Sequence, residues 1–518
     1  MLLINNKGWC GMGNKYKFTS QDIAQIREMG LKTRDVEKQL SIYRRGINYL
    51  ALNRPCKIND GIISLGTQQK KELVRLYEQE SKYNKIIKFV PASGAASRMF
   101  ADWHALIKDK SIAEKPLEKE IIKKIKKMPF IPLIEKDDYG QRLLKVKDMK
   151  GLLKFILFPD GLNYSWLPKA LIPFHLYDGK DIRTAIEEHI YEAASYITNS
   201  RGVCRLHFTV SEEHKNIIAS WLAKIKKIYE EKCRVKFKID LSVQSASTNI
   251  IAVDENNMPF RDENGMLVFR PGGHGALLEN LNKLDADLIF VRNIDNVVPS
   301  NILKKILPYK KMLGGFAIRL RQDIFEILNK LEKDEYKGKM DLLARHCNKN
   351  FNIIFESGFH KLTEKQKKRR IILALNRPLR VCAMVRNVGE PGGGPFWINE
   401  KNSTQSLQIV EGAHVNKADA SQLQIWSRAS YFNPVDMVCC IKNHRGEKYD
   451  LKKYVDTDAF LISLKNEKGH KIKAQEMPGL WNGAMARWNT VFVELPLIVF
   501  NPVKTVYDLL RSQHQAHK

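Results

Sequence analysis

Apolar and polar positions along this chain follow two spacings, one helical and one typical of short buried strands. Between residues 19 and 80 apolar side chains recur every three to four positions, which predicts helices, one of them over residues 68–83. The β-branched and aromatic run at residues 86–90 predicts the first strand. Small residues follow it directly, and a second helical pattern covers residues 100–107. The chain therefore predicts a strand, a tight loop and a helix at this point.

The two spacings alternate after residue 165. Strands are predicted at residues 171–174, 205–209, 236–241 and 288–292, and helices at residues 181–197, 212–227 and 276–284. Residues 300–375 have a helical pattern, and residues 376–518 are mixed with more strand. Strands separated by helices predict an α/β fold with a mostly parallel sheet flanked by helices.

The same patterns suggest how the chain is divided. We expect a helical N-terminal region over residues 1–85, in which residues 1–11 are disordered or not native because the patterned chain begins after Met12. Residues 86–518 are expected to form one catalytic body, since no repeat or low-complexity linker interrupts them. A lysine-rich and mostly helical insertion is predicted at about residues 108–165, and a mixed C-terminal part from about residue 376.

Composition narrows the class of protein. The 518 residues are 44% hydrophobic, enough for a large core, and no apolar run approaches the roughly 18 residues of a membrane span. Eight cysteines without any CxxC spacing are too sparse for a disulfide scaffold or a zinc knuckle. The first residues have no basic segment followed by an apolar one, so they do not form a signal peptide. We expect a soluble, cytoplasmic protein in a reducing compartment.

The charge of the chain points to anionic partners. Lysine and arginine outnumber acidic residues by 86 to 57, a net charge of +29. Such an excess favours phosphate-bearing substrates, nucleic acid or acidic surfaces. Many lysines lie in helical runs, such as residues 123–127, whose ordinary role is to solvate a helix face. The charge alone leaves these alternatives open.

Two segments offer groups that can contact phosphate. The small residues 91–99 lie between a strand and a helix, where backbone N–H groups can meet an anion, although close packing is the alternative. The loop is not a Walker A motif, because no Lys-Ser/Thr pair follows its glycine at the required spacing. Arg98 begins the helix and can neutralise a triphosphate. Lys169 stands between Pro168 and an apolar run, and is either aimed into a cleft or a plain surface lysine.

A third segment is more specific. Gly272 and Gly273 precede a helix and permit close approach of a ligand to the backbone, while His274 is either a core histidine or a phosphate donor. Asp295 follows the strand at residues 288–292, at the end where α/β sheets bind ligands. Its carboxylate suits a Mg²⁺ that bridges phosphates; the alternative is an aspartate that caps its own turn.

The order of these motifs resembles the UDP-sugar pyrophosphorylases, which are nucleotidyltransferases of the GT-A-like α/β class. The motifs that carry the resemblance are, in chain order, the loop at Ser93, Gly94 and Ala95, the Pro168-Lys169 pair, Gln244, the Pro271-Gly272-Gly273-His274-Gly275 segment, Asn293-Ile294-Asp295-Asn296, Val410-Glu411 and Pro502-Val503-Lys504-Thr505. They cover about residues 86–300 and 405–510. The whole chain also resembles an uncharacterised bacterial domain-of-unknown-function family, family forty-three-oh-one.

The resemblance implies a fold and a set of roles. The fold would be GT-A-like, of the nucleotide-diphospho-sugar transferase type. A nucleoside triphosphate and a phosphorylated small molecule would react with release of pyrophosphate, with Mg²⁺ as cofactor held by Asp295. Arg98, Lys169 and Lys504 would be catalytic. The nucleotide would contact Ser93, Gly94, Ala95, Gln244, Gly272, Gly273 and His274, and the second substrate Asn293 and Glu411.

Departures from that family keep other functions open. The loop has Ser93 and Ala95 where the family has more glycine, so side chains lie where a bare backbone would meet the base, and which nucleoside triphosphate binds is left open. The segment at residues 389–397 has no counterpart; it either wraps the second substrate, with Gly393 in contact, or is a structural loop. Apolar neighbours predict that Lys504 is buried, and Asp508 is the alternative partner to a substrate phosphate.

Two rival functions remain. One is a non-catalytic protein of the same fold that binds a nucleotide, RNA or another polyanion, although the chain has no RNP-type aromatics. The other is an enzyme that transfers a nucleotide to a lipid-linked, phosphonate or amino-alcohol phosphate. No membrane partner is expected, and the oligomeric state is left open.

Overall fold

The computed structural model of the protein describes residues 16–108, 115–390, 392–401 and 404–516. The predicted disorder of residues 1–11 lies outside the described residues. In chain order the helices are α1 (Ser20–Glu28), α2 (Thr33–Arg45), α3 (Thr67–Glu80), α4 (Ala101–Lys108), α5 (Lys115–Ile125), α6 (Ile131–Lys136), α7 (Asp138–Val146), α8 (Met149–Leu157), α9 (Ala185–Ala194), α10 (Lys215–Cys233), α11 (Leu277–Lys283), α12 (Ser300–Glu332), α13 (Met340–Phe351), α14 (Glu364–Leu375) and α15 (Ala420–Ser427).

The strands alternate with these helices from residue 86 onward. They are β1 (Leu52–Pro55), β2 (Lys57–Ile58), β3 (Gly61–Ile63), β4 (Ile86–Pro91), β5 (Pro173–Tyr177), β6 (Asp181–Thr184), β7 (Val203–Val210), β8 (Lys236–Val243), β9 (Ile250–Ile251), β10 (Phe269–Arg270), β11 (Leu288–Arg292), β12 (Leu379–Arg386), β13 (Gly394–Asn399), β14 (Gln405–Val410), β15 (Tyr431–Phe432), β16 (Asp436–Cys440), β17 (Leu461–Glu467), β18 (His470–Glu476) and β19 (Asn489–Glu494).

The chain folds into two compact units, each assembled from separated stretches. The smaller unit contains the described parts of Met1–Asn48, Ser245–Ala276 and Thr457–Gly479, and the larger unit the rest. This division differs from the expected boundary after residue 85. The smaller unit is completed by two stretches from much later in the chain, and no local pattern of residues reveals such a return.

The smaller unit packs two helices on short strand pairs. Helices α1 and α2 cover the antiparallel pairs β9–β10 and β17–β18. Apolar side chains from both helices and from β9 form its core, among them Ile26, Val36 and Ile251. The hydroxyl of the buried Tyr43 donates to the Ile251 carbonyl at 2.8 Å and accepts from the Gln475 N–H at 2.7 Å. That hydroxyl therefore ties helix α2 to both strand pairs.

A single large sheet organises the larger unit. Its strands follow the order β2-β3-β19-β12-β16-β11-β4-β7-β8. Strand β16 is antiparallel to both of its neighbours, and the other neighbouring pairs on this path are parallel. One buried apolar cluster, with α3, α9 and α12, lies on one face, and a second, with α11, on the other. The predicted α/β class, a mostly parallel sheet flanked by helices, is confirmed.

The order of strands reverses next to β4. The chain passes from β4 outward through β7 to β8 and then returns to the other side of β4 as β11. Strands β4 and β11 are parallel, so both end at the same edge of the sheet. In open α/β sheets this reversal opens a crevice beyond the carboxyl ends of the strands, where ligands bind.

Two helix predictions were wrong in part. Residues 52–63 form β1, β2 and β3, because β1 pairs with β13 and β3 with β19, both distant in sequence. The helix expected at residues 181–197 begins with β6, which folds back on β5 through Gly179, a glycine at φ +70°. Helix α9 then begins after Thr184, whose side chain and backbone form a capping box with Glu187.

The remaining predictions concern the insertion and the membrane. Its described part, residues 115–165, is mostly helical as predicted, and helices α5 to α8 contribute to the main apolar cluster. Among the described helices, none combines the length and the apolar character needed to cross a bilayer.

Candidate functional site

The loop after β4 is fixed at its ends and open at its tip. The Ala92 N–H donates to the Thr209 carbonyl at 2.8 Å, and the Lys169 N–H donates to the Gly94 carbonyl at 3.1 Å. Ser93, Gly94 and Ala95 are exposed. Within the described part of the chain, the N–H groups of these three residues have no acceptor. A held loop with free N–H groups at the end of a parallel strand can bind an anion.

Arg98 lies in the short turn that connects this loop to α4. The turn is a 3₁₀ segment, Ala96–Phe100, whose residues Ala96, Met99 and Phe100 are buried. Arg98 itself is exposed, and its guanidinium forms no ion pair with any described residue. The packed side of the turn therefore holds a cation beside the loop, free to meet a ligand.

Lys169 joins three segments of the chain. Its Nζ lies 3.2 Å from Oδ2 of Asp295 and donates to the Val503 carbonyl at 2.8 Å. The side chains of Lys169 and Asp295 are 15% and 23% exposed, so the pair is sheltered but open to solvent. The sequence left two environments open for Lys169, a cleft and the plain surface. In the structure the ammonium points inward at this edge of the sheet.

The turn that carries Asp295 is held from below. The Arg292 Nε donates to the Asn296 carbonyl at 2.5 Å, and its Nη2 donates to Oδ1 of Asn296 at 3.1 Å. The Ile294 N–H donates to the Pro91 carbonyl at 3.3 Å, which ties the turn to the end of β4. Among the described residues the Asp295 carboxylate bonds to Lys169 and not to an N–H of its own turn. Asp295 is thus not a turn cap.

The C-terminal segment docks on the same turn. The Val503 N–H donates to the Asp295 carbonyl at 3.0 Å, and the Asn501 N–H donates to Oδ1 of Asn296 at 2.9 Å. Asn293, at the start of the turn, is half-buried, and its carbonyl accepts from the Asn296 N–H at 3.2 Å. Residues separated by some 200 positions in the sequence thereby form one structure.

Lys504 differs from its expected environment. The flanking Val499, Val503 and Leu509 are fully buried, but the Lys504 side chain is 38% exposed. Its ammonium pairs with Oε2 of Glu390 at 2.7 Å. The carboxylate of Asp508, the partner considered from the sequence, instead accepts the backbone N–H of Lys504 at 2.8 Å. The apolar neighbours turn inward, and the lysine is left at the surface with a carboxylate from the glycine-rich segment.

Gly393 and Glu411 lie close together at the ends of neighbouring strands. A Cβ on Gly393 would come 2.8 Å from Cγ2 of Ile409 and 3.3 Å from Cγ of Glu411. The close approach of β13 to β14 therefore explains the glycine. Glu411 follows β14 and is half-buried. Gly393 is buried, so the Glu411 side chain is the accessible part of this pair.

Gln244 stands at the same edge of the sheet as the loop after β4. It follows β8, which is parallel to β7 and through it to β4. Two strand spacings separate β8 from β4, about 10 Å. The Gln244 side chain is half-buried. Gln244 therefore lies at the edge of the sheet where β4, β7 and β8 end.

Gly272, Gly273 and His274 belong to the smaller unit. A Cβ on Gly272 would lie 2.6 Å from the Thr248 carbonyl oxygen, and Gly273 has a φ of +71°. Local backbone geometry therefore requires both glycines. His274 is half-buried in the 3₁₀ turn Gly273–Ala276.

The donor set at Asp295 limits the metal that it can bind. The described residues contain no group of three or more His, Cys, Asp or Glu side chains that could hold a metal ion. Asp295 supplies one carboxylate, and one of its oxygens bonds to Lys169. Mg²⁺ characteristically takes one or two protein carboxylates and completes its shell with phosphate oxygens and water. The residues fit a Mg²⁺ that arrives with phosphates, not an ion caged by protein groups.

Three residues of this arrangement had no role predicted from the sequence. Arg292 and Asn296 hold the turn, and Glu390 pairs with Lys504. An arginine that ends an otherwise apolar strand was a usable signal, because an unpaired buried charge is costly. Glu390 gave no such signal, since it is one carboxylate among many in loops.

Comparisons with known proteins give three results. No curated protein matches the chain. Similar solved structures are the UDP-N-acetylglucosamine pyrophosphorylase of Trypanosoma brucei, with 11% identity over 88% of this chain and 72% of that one and a TM-score of 0.46, and the UDP-glucose pyrophosphorylase of Leishmania major, with 12% identity over 95% and 79% and a TM-score of 0.43. The model of a family described as "Domain of unknown function (DUF4301)" matches residues 19–515.

Proposed function

The chain belongs to the DUF4301 family, and we propose that it is a nucleotidyltransferase that joins a nucleoside triphosphate to a phosphorylated small molecule and releases pyrophosphate. One observation carries this proposal. Lys169 bonds to Asp295 and to the Val503 carbonyl, next to a loop with free N–H groups. Four remote segments thus meet where β4 and β11 end, and their order is the one that resembles the UDP-sugar pyrophosphorylases.

The triphosphate would lie along this edge. The N–H groups of Ser93, Gly94 and Ala95 are suited to phosphate oxygens. Arg98 is exposed next to them and supplies a positive charge. In our proposal Lys169 and Lys504 supply two more, because a polyanion is stabilised by cations that are already in place.

In the proposed reaction no covalent bond forms between the substrates and the protein. A phosphate oxygen of the second substrate attacks the α-phosphorus of the nucleotide and forms a new P–O bond. The bond from the α-phosphorus to the oxygen that bridges to the β-phosphorus breaks, and pyrophosphate leaves with its electron pair. Positioning of both substrates and neutralisation of charge account for most of the acceleration in reactions of this class.

Asp295 is the residue proposed to hold Mg²⁺. When bound, the ion would polarise phosphate oxygens as a Lewis acid. The protein's own part is to keep the Asp295 carboxylate at the end of β11, where the Lys169 ammonium and the Arg292-held turn fix its place.

Recognition of the base and of the second substrate is proposed for separate residues. Gln244 would contact the base. Asn293, Gly393 and Glu411 would contact the second substrate, and the Glu411 carboxylate would accept a hydrogen bond from a sugar hydroxyl. A sugar phosphate is the class we favour; a lipid-linked, phosphonate or amino-alcohol phosphate uses the same phosphate contacts.

A second candidate function rests on the basic surface. Lys123, Lys126 and Lys127 are exposed in and just after α5, and the chain carries a net charge of +29. A non-catalytic protein that binds RNA or another polyanion would show affinity that falls steeply with salt, because counterions are released on binding. It would show no turnover.

A screen for pyrophosphate release tests the two functions against each other. Each of the four nucleoside triphosphates is incubated with Mg²⁺ and a panel of sugar and alcohol phosphates, and the Lys169→Met variant is the matched control. We expect release with at least one pair, and its loss in the variant. The same nucleotide with Mg²⁺ should raise the melting temperature, because it binds the native state. No release and no thermal shift with any nucleotide would favour the binding protein.

A further inference from the structure

A lysine lies in the interior of the larger unit, in the middle of an otherwise apolar strand. Lys88 of β4 is fully buried. Four more charged side chains continue from it as a series of ion pairs, and each of the five is at most 3% exposed. The five are Lys88, Glu192, Arg292, Asp436 and Lys310, and we call them the buried ion chain.

The charges in the buried ion chain alternate in sign. The Lys88 Nζ lies 3.3 Å from Oε1 of Glu192, and the Arg292 Nη1 lies 3.6 Å from the same oxygen. The Arg292 Nη1 also lies 3.4 Å from Oδ2 of Asp436. The Lys310 ammonium pairs with that Asp436 oxygen. Arg292 therefore lies at the centre, between two carboxylates.

Strand register explains how these side chains meet. Lys88 of β4 is opposite Phe290 of β11, and Arg292 of β11 is opposite Asp436 of β16. Because alternate residues of a strand share a face, Phe290 and Arg292 project to the same side of the sheet as Lys88. Glu192 of α9 and Lys310 of α12 reach that side from the covering helices.

Stability alone does not account for such a chain. Removing charges from water costs several kcal/mol per ion, and apolar groups of similar volume often stabilise a fold as well or better. The surrounding face is otherwise an apolar core. The contacts of the buried ion chain with its surroundings therefore indicate what role it has beyond stability.

One end of Arg292 holds the turn that carries Asp295. Its Nε and Nη2 donate to the carbonyl and to Oδ1 of Asn296, and Nη2 also lies 3.3 Å from the Val499 carbonyl. A single guanidinium thus contacts two carboxylates of the buried ion chain, the residue after Asp295 and the C-terminal segment.

A second contact reaches the residue before Asp295. His189 lies one turn before Glu192 on α9, and its Nε2 donates to the Ile294 carbonyl at 3.2 Å. Burial lowers the pKa of His189, and the nearby Lys88 ammonium lowers it further, so the imidazole is neutral. The Lys88 Nζ also donates to the His189 carbonyl at 3.1 Å. The carbonyl of Ile294, before Asp295, is therefore bound by a histidine that Lys88 contacts. The carbonyl of Asn296, after Asp295, is bound by Arg292 itself.

We propose that Arg292 and Glu192 are positioning residues: the buried ion chain fixes the turn that presents Asp295 and couples it to the C-terminal segment that carries Lys504. The catalytic consequence rests on the proposed nucleotidyl transfer, whereas the ordering of the turn does not. Glu192 acts through Arg292 and touches no substrate. Arg292 acts through the backbone and the side chain of Asn296.

Two variants test this proposal. Lys88→Met with Glu192→Gln removes one positive and one negative charge, so no uncompensated buried charge is introduced. Arg292→Lys keeps the charge beside Asp436 but loses the donors to Asn296. The matched control is Glu187→Gln, the same change on the same helix. The Glu187 carboxylate accepts from the N–H and the hydroxyl of Thr184, at 2.9 and 2.6 Å, and does not belong to the buried ion chain.

The first readout is amide hydrogen exchange in peptides that cover residues 291–297 and 499–504. We expect exchange at least about tenfold faster in both test variants and unchanged in Glu187→Gln, since loss of the anchors lets the turn open locally. The second readout is turnover, with kcat expected to fall about 10²-fold, the effect of a misplacement of about 1 Å. The KM for the nucleotide should change little.

The outcomes are distinguishable. If the wild-type protein shows no turnover, the proposed function fails and the exchange measurement still decides the positioning role. If the double variant does not fold, Arg292→Lys decides it. Unchanged exchange at residues 291–297 in the folded test variants would overturn the proposal. An equal change in Glu187→Gln would also overturn it, because general loosening of α9 would then be the cause.

Discussion

The Lys504 ammonium lies 2.7 Å from Oε2 of Glu390, which joins the C-terminal segment to the glycine-rich segment at residues 389–397. Arg511 approaches the same carboxylate at 3.8 Å. One carboxylate thus faces two cations, as a substrate phosphate would. Lys504 and Glu390 are 38% and 21% exposed, so an anion from solution can compete for the lysine.

Lys504→Met should separate a role in substrate binding from a role in stability. We expect turnover to fall by roughly 10²–10³, the cost of a lost electrostatic donor. The melting temperature should hardly change, because a partly exposed ion pair contributes about 0–1 kcal/mol. Glu390→Gln breaks the same pair and is the control, with turnover retained. A variant that unfolds more readily but turns over at the wild-type rate would show that Lys504 is structural.

Asp295→Asn tests the proposed metal ligand. The amide keeps the shape of the carboxylate but not its charge, so Mg²⁺-dependent turnover should be lost. The fold should remain, because the turn is held through the backbone and Asn296. Turnover is measured across a Mg²⁺ titration, and far-UV circular dichroism serves as the check on folding. Wild-type rates at every Mg²⁺ concentration would exclude Asp295 as a ligand.

Gly94→Ala tests whether a ligand approaches the loop backbone. A Cβ at Gly94 would meet no atom within 4 Å, and the residue does not have a positive φ. The folded protein should therefore tolerate alanine, and a gain of about 0.4–1 kcal/mol is expected because the unfolded chain loses entropy. Nucleotide affinity should fall. Gly358→Ala is the matched control, since a Cβ there also meets nothing within 4 Å. Equal nucleotide affinity in both variants would argue against the loop as a phosphate site.

Acid should destabilise the protein through Glu192. Burial raises the pKa of this carboxyl, but the charges of Arg292 and Lys88 outweigh it and lower the pKa to about 2, from 4.5. Between these values the unfolded chain binds more protons, so the free energy of unfolding falls as pH falls from 4.5 to 2. In the Lys88→Met and Glu192→Gln double variant this slope should be shallower by up to about 1.4 kcal/mol per pH unit.

Denaturant titrations at several pH values measure that slope. Glu187→Gln is a control of opposite sign, because burial raises the pKa of Glu187 and its ionisation therefore costs stability as pH rises. Identical slopes below pH 4.5 in the wild-type protein and the double variant would show that Glu192 is not held ionised by its cations.

Local patterns in the sequence determined the strands that carry the candidate site and the class of fold. The strand predicted at residues 288–292 is β11, and the strand predicted at residues 86–90 is β4 with one residue more. Alternation of such strands with helices was enough to predict a mostly parallel sheet, because a parallel pair needs a crossover. The loop after β4 and the turn at Asp295 could be placed at one edge for the same reason.

Tertiary structure alone decided which residues meet across long separations. Leu52 and the residues after it form strands because strands from far along the chain pair with them. The residues near Leu52 in sequence contain no sign of these partners. The partner of Lys504 is Glu390 and not the nearer Asp508, because the Asp508 carboxylate is occupied by backbone N–H groups. The buried ion chain likewise depends on the register of three strands and on two covering helices. The spacing of residues along the sequence determines which face of a strand or helix a side chain occupies. The fold determines which charged side chain lies opposite it.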